Sequence, residues 1–348
     1  MSDQIKASNF ISERFNSFHN FMTPSSLLFL STITIGTIVT LSSSNWLYLW
    51  IGIELNLLSF VPLIANTSSL QETEARVKYF IIQAIGSRLI LTAGIIASNP
   101  NIFSRIKIAV RIIFISSMTL KLGIAPCHQW LPHVIRRIPW VICLTLATWQ
   151  KIRPIIILII LSTTDRQHII ILMAILSAII GGIGGLNQSQ IRTLLAYSSI
   201  GHIGWLVSTV TCSYNIFMIY FTTYIIITCR IIYLFIQRNI IHSKLFIKTK
   251  TSPTIFIIII FTLFSLGGLP PLLGFFPKWI IINSIISQRI IIITAILVMG
   301  RLINLFYYFN ISFNYIITPT HSPTPNKTKI SSITVSALAT ITPIFLML

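Results

Sequence analysis

The sequence predicts an all-α integral membrane protein, one polytopic bundle of ten or eleven transmembrane helices with two or more of them broken. Three observations predict it. Of 348 residues, 54% are hydrophobic and only 9% charged, with a mean hydropathy of +0.85, whereas a soluble domain carries about a quarter of its residues as charges. Apolar runs of about 20 residues, the length that crosses a bilayer as helix, recur with short polar gaps; barrel strands would alternate over about 10 residues. Several runs are interrupted by Gly or Pro beside a lysine, as in Lys121-Leu122-Gly123-Ile124-Ala125-Pro126 and Lys151-Ile152-Arg153-Pro154.

In chain order, residues 1–23 read as a polar lead with Lys6, Glu13, Arg14 and His19 and no cleavable apolar core; it is either a short amphipathic lead or, with Met22 as the start, an artefactual extension. Residues 24–348 then form a single transmembrane domain. Its first two spans are expected at 24–44 and 46–65, the second holding Glu54. Eight residues from Trp46 to Glu54 are about 12 Å of helix, which places the carboxylate near mid-membrane. A polar connection with Glu72 and Glu74 leads to a span at 77–98. The spans at 108–130 and 139–162 carry Lys121 and Lys151, and Pro126 and Pro154 predict a distortion just after each lysine.

The span at 168–186 ends in Gly181-Gly182-Ile183-Gly184-Gly185, which predicts close helix approach or a helix end. Spans at 191–212 and 214–236 follow, then a basic loop at 238–250. The run from 254 meets Leu266-Gly267-Gly268-Leu269-Pro270-Pro271 and Gly274-Phe275-Phe276-Pro277-Lys278. Irregular backbone at membrane depth survives only where it lines protein or water, so this interruption points to a transport site. Spans at 290–309 and 330–348 complete the count. Basic loops fall on both sides, so charge asymmetry assigns no orientation.

An ionisable side chain inside an apolar span is expensive and marks function by default. Glu54, Lys121, Lys151 and Lys278 are among the residues that rule marks and are read as a proton relay, with His202, one turn from Ser198 and Ser199, available to order water. Burial disfavours the charged form of either residue type and an opposite charge favours it, so a Glu54/Lys121 pair that forms and separates would load and unload a proton. The bland readings stand beside these. Lysines snorkel to interfaces, Lys278 beside Trp279 suits an anchor, and Arg192 and Glu74 suit solvated loops.

The net charge of +19, from 25 Lys and Arg against six acids, is scattered through apolar runs and forms no basic face, which argues against nucleic acid as a partner. The lipid bilayer is the partner the composition demands. Four single cysteines, Cys127, Cys143, Cys212 and Cys229, have neither disulfide nor metal spacing. No metal or cofactor site is expected in this chain.

The runs Trp50-Ile51-Gly52-Ile53-Glu54-Leu55-Asn56, Thr73-Glu74-Ala75, Lys121-Leu122-Gly123-Ile124-Ala125-Pro126, Thr148-Trp149-Gln150-Lys151, Gly184-Gly185-Leu186-Asn187-Gln188 and Leu266-Gly267-Gly268-Leu269-Pro270-Pro271 with Pro277-Lys278-Trp279 occur in order. Together they resemble the subunit 2 family of mitochondrial NADH dehydrogenase, antiporter-like membrane subunits of respiratory complex I. The resemblance covers about residues 24–348. It implies a proton-translocating core subunit of NADH:ubiquinone oxidoreductase in the mitochondrial inner membrane, an antiporter-like bundle with broken helices, and the other complex I membrane subunits as partners. It also implies that NADH, FMN, iron–sulfur clusters and ubiquinone belong to other subunits. The family's membrane carboxylate matches Glu54, and its lysines match Lys121, Lys151 and Lys278. The alternative is a stand-alone monovalent cation/proton antiporter, which would share the lysines and the broken helices.

The chain departs from that pattern at Cys127-His128-Gln129 and at Pro132-His133, where relatives tend to have an aromatic around a histidine and Pro-Glu. Arg76, Arg88, Arg153, Arg230 and Arg301 stand where the family usually shows small or hydroxyl residues. Six acids cannot neutralise so many cations, so the expectation is that these codons are read as serine. Arginine at 88, 230 and 301 in peptide mass spectrometry would refute it.

Overall fold

The computed structural model describes residues 24–64, 70–98, 104–161, 167–209, 212–238, 253–289 and 291–317. The expected lead at 1–23, nearly all of the basic loop at 238–250 and the expected last span at 330–348 lie outside the described residues. Among the described residues the regular structure is all helical, and seven helices are long and apolar enough to cross a membrane, with two shorter apolar helices besides. The chain divides into two compact units, Met1–Ser117 and Met118–Leu348.

In the first unit, α1 (Pro24–Ser42) and α2 (Trp46–Ile64) form a hairpin. Their backbones approach where neither residue has a side chain: a Cβ on Gly52 would lie 2.9 Å from the Gly36 carbonyl oxygen. Such small-residue crossings let transmembrane helices pack without a hydrophobic driving force. Helix α3 (Leu70–Ala97) packs on α2 through Phe60 and Tyr79, with ring centroids 5.1 Å apart, and through Gly94 against the Trp46 ring. It begins seven residues before the expected span, because the stretch with Glu72 and Glu74 is helix and not a connection. Glu72 lies in the first turn, where the helix dipole favours an anion. Glu74 pairs with Lys78 one turn on, at 2.7 Å.

Helix α4 (Ser104–Leu122) carries the chain into the second unit. It stops at Leu122 in a glycine cap. Gly123 has φ +71°, its N–H donates to Leu120 at 3.3 Å, and the Ile124 N–H donates to Thr119 at 3.1 Å, the paired bonds of a Schellman turn. The chain resumes as α5 (Trp130–Arg137), whose Trp130 Nε1 donates back to the Leu120 carbonyl at 3.0 Å. The interruption expected in the span at 108–130 is present, and the helix stops at Gly123, before Pro126, to resume only at Trp130.

Helices α6 (Trp140–Ala147) and α7 (Trp149–Leu161) are one span interrupted at Thr148. Pro154 lies inside α7, so the expected distortion after Lys151 falls before it. A proline ring clashes with the carbonyl four residues earlier, and that places the disturbance one turn upstream, on the Thr148 side. Helices α8 (Gln167–Leu186) and α9 (Ile191–Ser208) cross at Gly181, whose added Cβ would sit 2.5 Å from the Gly201 nitrogen. Helix α10 (Tyr214–Arg238) is one long span. A second interrupted pair follows, α11 (Pro253–Gly267) and α12 (Phe275–Ser287), and then α13 (Ile291–Ile317). Helix α11 ends as α4 does. Gly268 has φ +78° and donates to Ser265 at 3.0 Å, while Leu269 donates to Phe264 at 3.3 Å.

Candidate functional site

The second unit holds three buried lysines, each beside a helix interruption. Lys121 is 8% exposed and stands two residues before the Gly123 cap. Lys151, 3% exposed, lies in the first turn of α7, just past Thr148. Lys278, also 3% exposed, lies in the first turn of α12 and reaches back across the interruption.

Lys151 Nζ donates to the Tyr224 hydroxyl at 3.1 Å and lies 5.1 Å from the centre of that ring. The same hydroxyl donates to the Ala147 carbonyl at 3.3 Å, tying the end of α6 to α10. The Tyr224 ring is 5.1 Å from His202, and His202 Nδ1 shares a 2.9 Å hydrogen bond with the Tyr220 hydroxyl. Two hydrogen-bonded pairs, Lys151 with Tyr224 and His202 with Tyr220, thus lie side by side and meet through the Tyr224 and His202 rings. Beside them is a small cavity, about 20 Å³ of it open to the centre of a water molecule, lined by Cys143, Ser198, Ser199, Tyr224, Thr228 and Leu266 among others. That is room for about one water. Ser198 and Ser199 border this space, but their hydroxyls donate to their own helix at Leu195 and Ala196. His202 is held by Tyr220 and is not among the lining residues.

At the second interruption the Schellman bonds consume the Phe264 and Ser265 carbonyls and leave those of Leu266 and Gly267 over. Two cations take them. Lys278 Nζ donates to Leu266 at 2.8 Å and to Gly267 at 3.3 Å, and Arg301 Nε of α13 donates to Gly267 at 2.9 Å. The negative end of a helix dipole suits both charges.

The described part of this unit contains no carboxylate side chain, since the only acid after Glu74 is Asp165, outside the described residues. The Lys151 ammonium is held by a phenol and that of Lys278 by two carbonyl dipoles. Glu54 belongs to the first unit, on α2; one of its oxygens, Oε2, is buried without a hydrogen-bond partner among the described residues. The structure thus connects Lys151 with His202 through Tyr224 and sets Lys278 at a second cluster with Arg301. Among the described residues no group of three His, Cys, Asp or Glu side chains is arranged to hold a metal.

The sequence reading overlooked Tyr220, Tyr224 and the free carbonyls of α11. A signal existed: Tyr220, Tyr224 and Thr228 recur every four residues in an apolar span, which sets three hydroxyls on one helix face. Arg192, expected as a solvated loop charge, instead donates to the Ile138 carbonyl at 2.7 Å and lies over the Trp140 ring at 5.3 Å. His128 turns to the Pro126 carbonyl at 3.1 Å, and His133 is exposed.

Broken helices around buried lysines define an antiporter-like membrane subunit. The match of residues 43–304 to the NADH:quinone oxidoreductase/Mrp antiporter transmembrane family agrees. The chain is 39% identical over 309 residues to the NADH-ubiquinone oxidoreductase chain 2 of Lumbricus terrestris, covering 88% of this chain and 91% of that one. It belongs to the NADH-ubiquinone oxidoreductase chain 2 family. The fold is also that of a chain in respiratory complex I from Thermus thermophilus with bound aureothin (TM-score 0.78, 20% identity, 90% of this chain and 76% of that one). A chain of the Mrp complex from a Dietzia species is similar as well (TM-score 0.71, 15% identity, 86% and 62%).

Proposed function

We propose that the chain is a proton-translocating core membrane subunit of NADH:ubiquinone oxidoreductase in the mitochondrial inner membrane, assembled with the other membrane subunits of that complex. Protons pass along Glu54, Lys121, Lys151 and Lys278, while NADH, FMN, iron–sulfur clusters and ubiquinone are bound by other subunits. One observation carries the relay. Lys151 and Lys278 are buried on neutral partners, the Tyr224 hydroxyl for one and the Leu266 and Gly267 carbonyls for the other. A buried charge held only by neutral dipoles costs several kcal/mol, so a proton that can leave suits both of these sites. Tyr224 offers Lys151 a hydroxyl to pass it to, and the same tyrosine lines the water-sized cavity. The His202–Tyr220 pair lies next to Tyr224, in ring contact with it.

The test is made on membranes in two steps. On a native gel of detergent-solubilised membranes the chain is expected to migrate with NADH-oxidising activity in one large assembly. Then Lys151→Met and Lys278→Met, in assembled complexes, are expected to abolish the proton translocation that accompanies NADH oxidation. Normal pumping by both variants sinks the relay. A chain that runs alone on the gel supports the second reading, a stand-alone monovalent cation/proton antiporter, which the likeness to the Mrp complex keeps in view; sodium or potassium exchange in vesicles then decides.

A further inference from the structure

We infer that Arg301 is a positioning residue for Lys278, holding the Gly267 carbonyl so that the lysine keeps its short bond to Leu266; this rests on the reading of Lys278 as a relay group. Two leftover carbonyls at the end of α11 meet two cations, and the distances show how they are divided. Arg301 Nε is 2.9 Å from Gly267, whereas Lys278 Nζ is 2.8 Å from Leu266 and 3.3 Å from Gly267. Two further contacts fix the guanidinium and a third places its helix. It lies 5.5 Å from the centre of the Phe275 ring on α12. A Cβ added to Gly268 would come within 2.8 Å of Nη2, so the guanidinium packs against bare backbone. Gly300, next to it on α13, is seated on the Ala178 carbonyl, where a Cβ would lie 2.7 Å away, and this fixes the height of α13 against α8.

Arginine keeps its charge at any working pH. The proton that comes and goes at this carbonyl pair is therefore the lysine's. A fixed cation on one acceptor and a titrating one on the other make the end of α11 a seat with a single exchangeable proton. Serine at 301, the expectation from the family pattern, is too short to reach Phe275 and carries no charge.

Peptide mass spectrometry of the assembled complex reads residue 301 first, and serine there overturns the inference. Two variants then separate charge from capping. Arg301→Gln keeps a donor for Gly267 and loses the charge, while Arg301→Lys keeps the charge. The expected result is about a tenfold loss of pumping for the glutamine variant, because a neutral amide holds Gly267 more weakly than a charged donor and leaves that carbonyl to Lys278, with near-normal pumping for the lysine variant. Equal pumping by the two, or rescue by glutamine alone, overturns it. If Arg301→Gln does not assemble, the double variant with Lys278→Met decides: assembly returns if the arginine acts through the lysine, and stays lost if it is only a cap. An inactive Lys278→Met beside a fully active Arg301→Gln sinks this inference and spares the relay, whereas a fully active Lys278→Met sinks the relay itself.

Discussion

Gly274 is where the second interruption is most sensitive to a single methyl group. Its φ of −74° is ordinary, so glycine is needed there for space and not for conformation. A Cβ would stand 1.8 Å from the Ser265 carbonyl oxygen and 2.9 Å from its carbon. No side chain can swing aside, and the two stretches of backbone must part by about 1.5 Å to reach ordinary contact. That is overpacking at the top of its usual range, about 3 kcal/mol, or roughly a 150-fold loss of the native arrangement. Because Ser265 precedes the Leu266 and Gly267 carbonyls, the shift lands on the acceptors of Lys278. In purified complex, Gly274→Ala is expected to lower the midpoint of thermal inactivation and to reduce protons moved per NADH oxidised. Gly267→Ala is the control. Its Cβ would meet the Leu305 side chain at 3.3 Å, which can yield, and alanine gains about 1 kcal/mol in helix. Normal heat stability and pumping in Gly274→Ala, or equal damage in both variants, would refute the reasoning.

Three further outcomes are expected. Tyr224→Phe keeps the ring beside Lys151 but removes the hydroxyl between Nζ and the Ala147 carbonyl, and pumping should fall about tenfold in normally assembled complex, measured in vesicles. Gly181→Ala presses a methyl against the Gly201 backbone at 2.5 Å, and a native gel should show depleted complex, at a cost of about 3 kcal/mol to the helix pair. Arg192→Met forfeits the bond to Ile138, so heat stability should drop by about 1.5 to 3 kcal/mol while protons moved per NADH stay unchanged, because the bond it loses ties α9 to the Ile138 carbonyl and not to the Lys151 or Lys278 partners.

The lysines were legible because a charge in an apolar run has no cheap explanation, and the glycine-rich interruptions because irregular backbone at that depth has none either. Span limits held within a few residues for α1, α2 and α8, where polar residues bracket the apolar run. They failed at Glu72 and Glu74, since charge reads as loop whereas a pair four residues apart supports helix. The position of the Lys151 interruption was misjudged because a proline acts on the turn before it. Tyr224 escaped notice for another reason. Hydropathy counts a tyrosine in an isoleucine-rich span as apolar, and only its spacing to Tyr220 and Thr228 shows that its hydroxyl faces inward. The sharing of two carbonyls by Lys278 and Arg301 had no signature in the sequence, because it depends on which acceptors the Gly268 cap leaves over.

The glycine contacts of α8 also act as a ruler. Gly181 touches the Gly201 backbone on one side, and Ala178 receives Gly300 of α13 on the other, where a Cβ would lie 2.7 Å from the Ala178 carbonyl. Bare backbone against bare backbone admits no slip, so helices α8, α9 and α13 share one vertical scale along the membrane normal. His202 and Arg301 each follow one of those contacts directly in sequence. Their depths are thereby set by α8, a helix with no charged residue of its own, and the compliance of the unit is left to Thr148 and to the two glycine-capped interruptions.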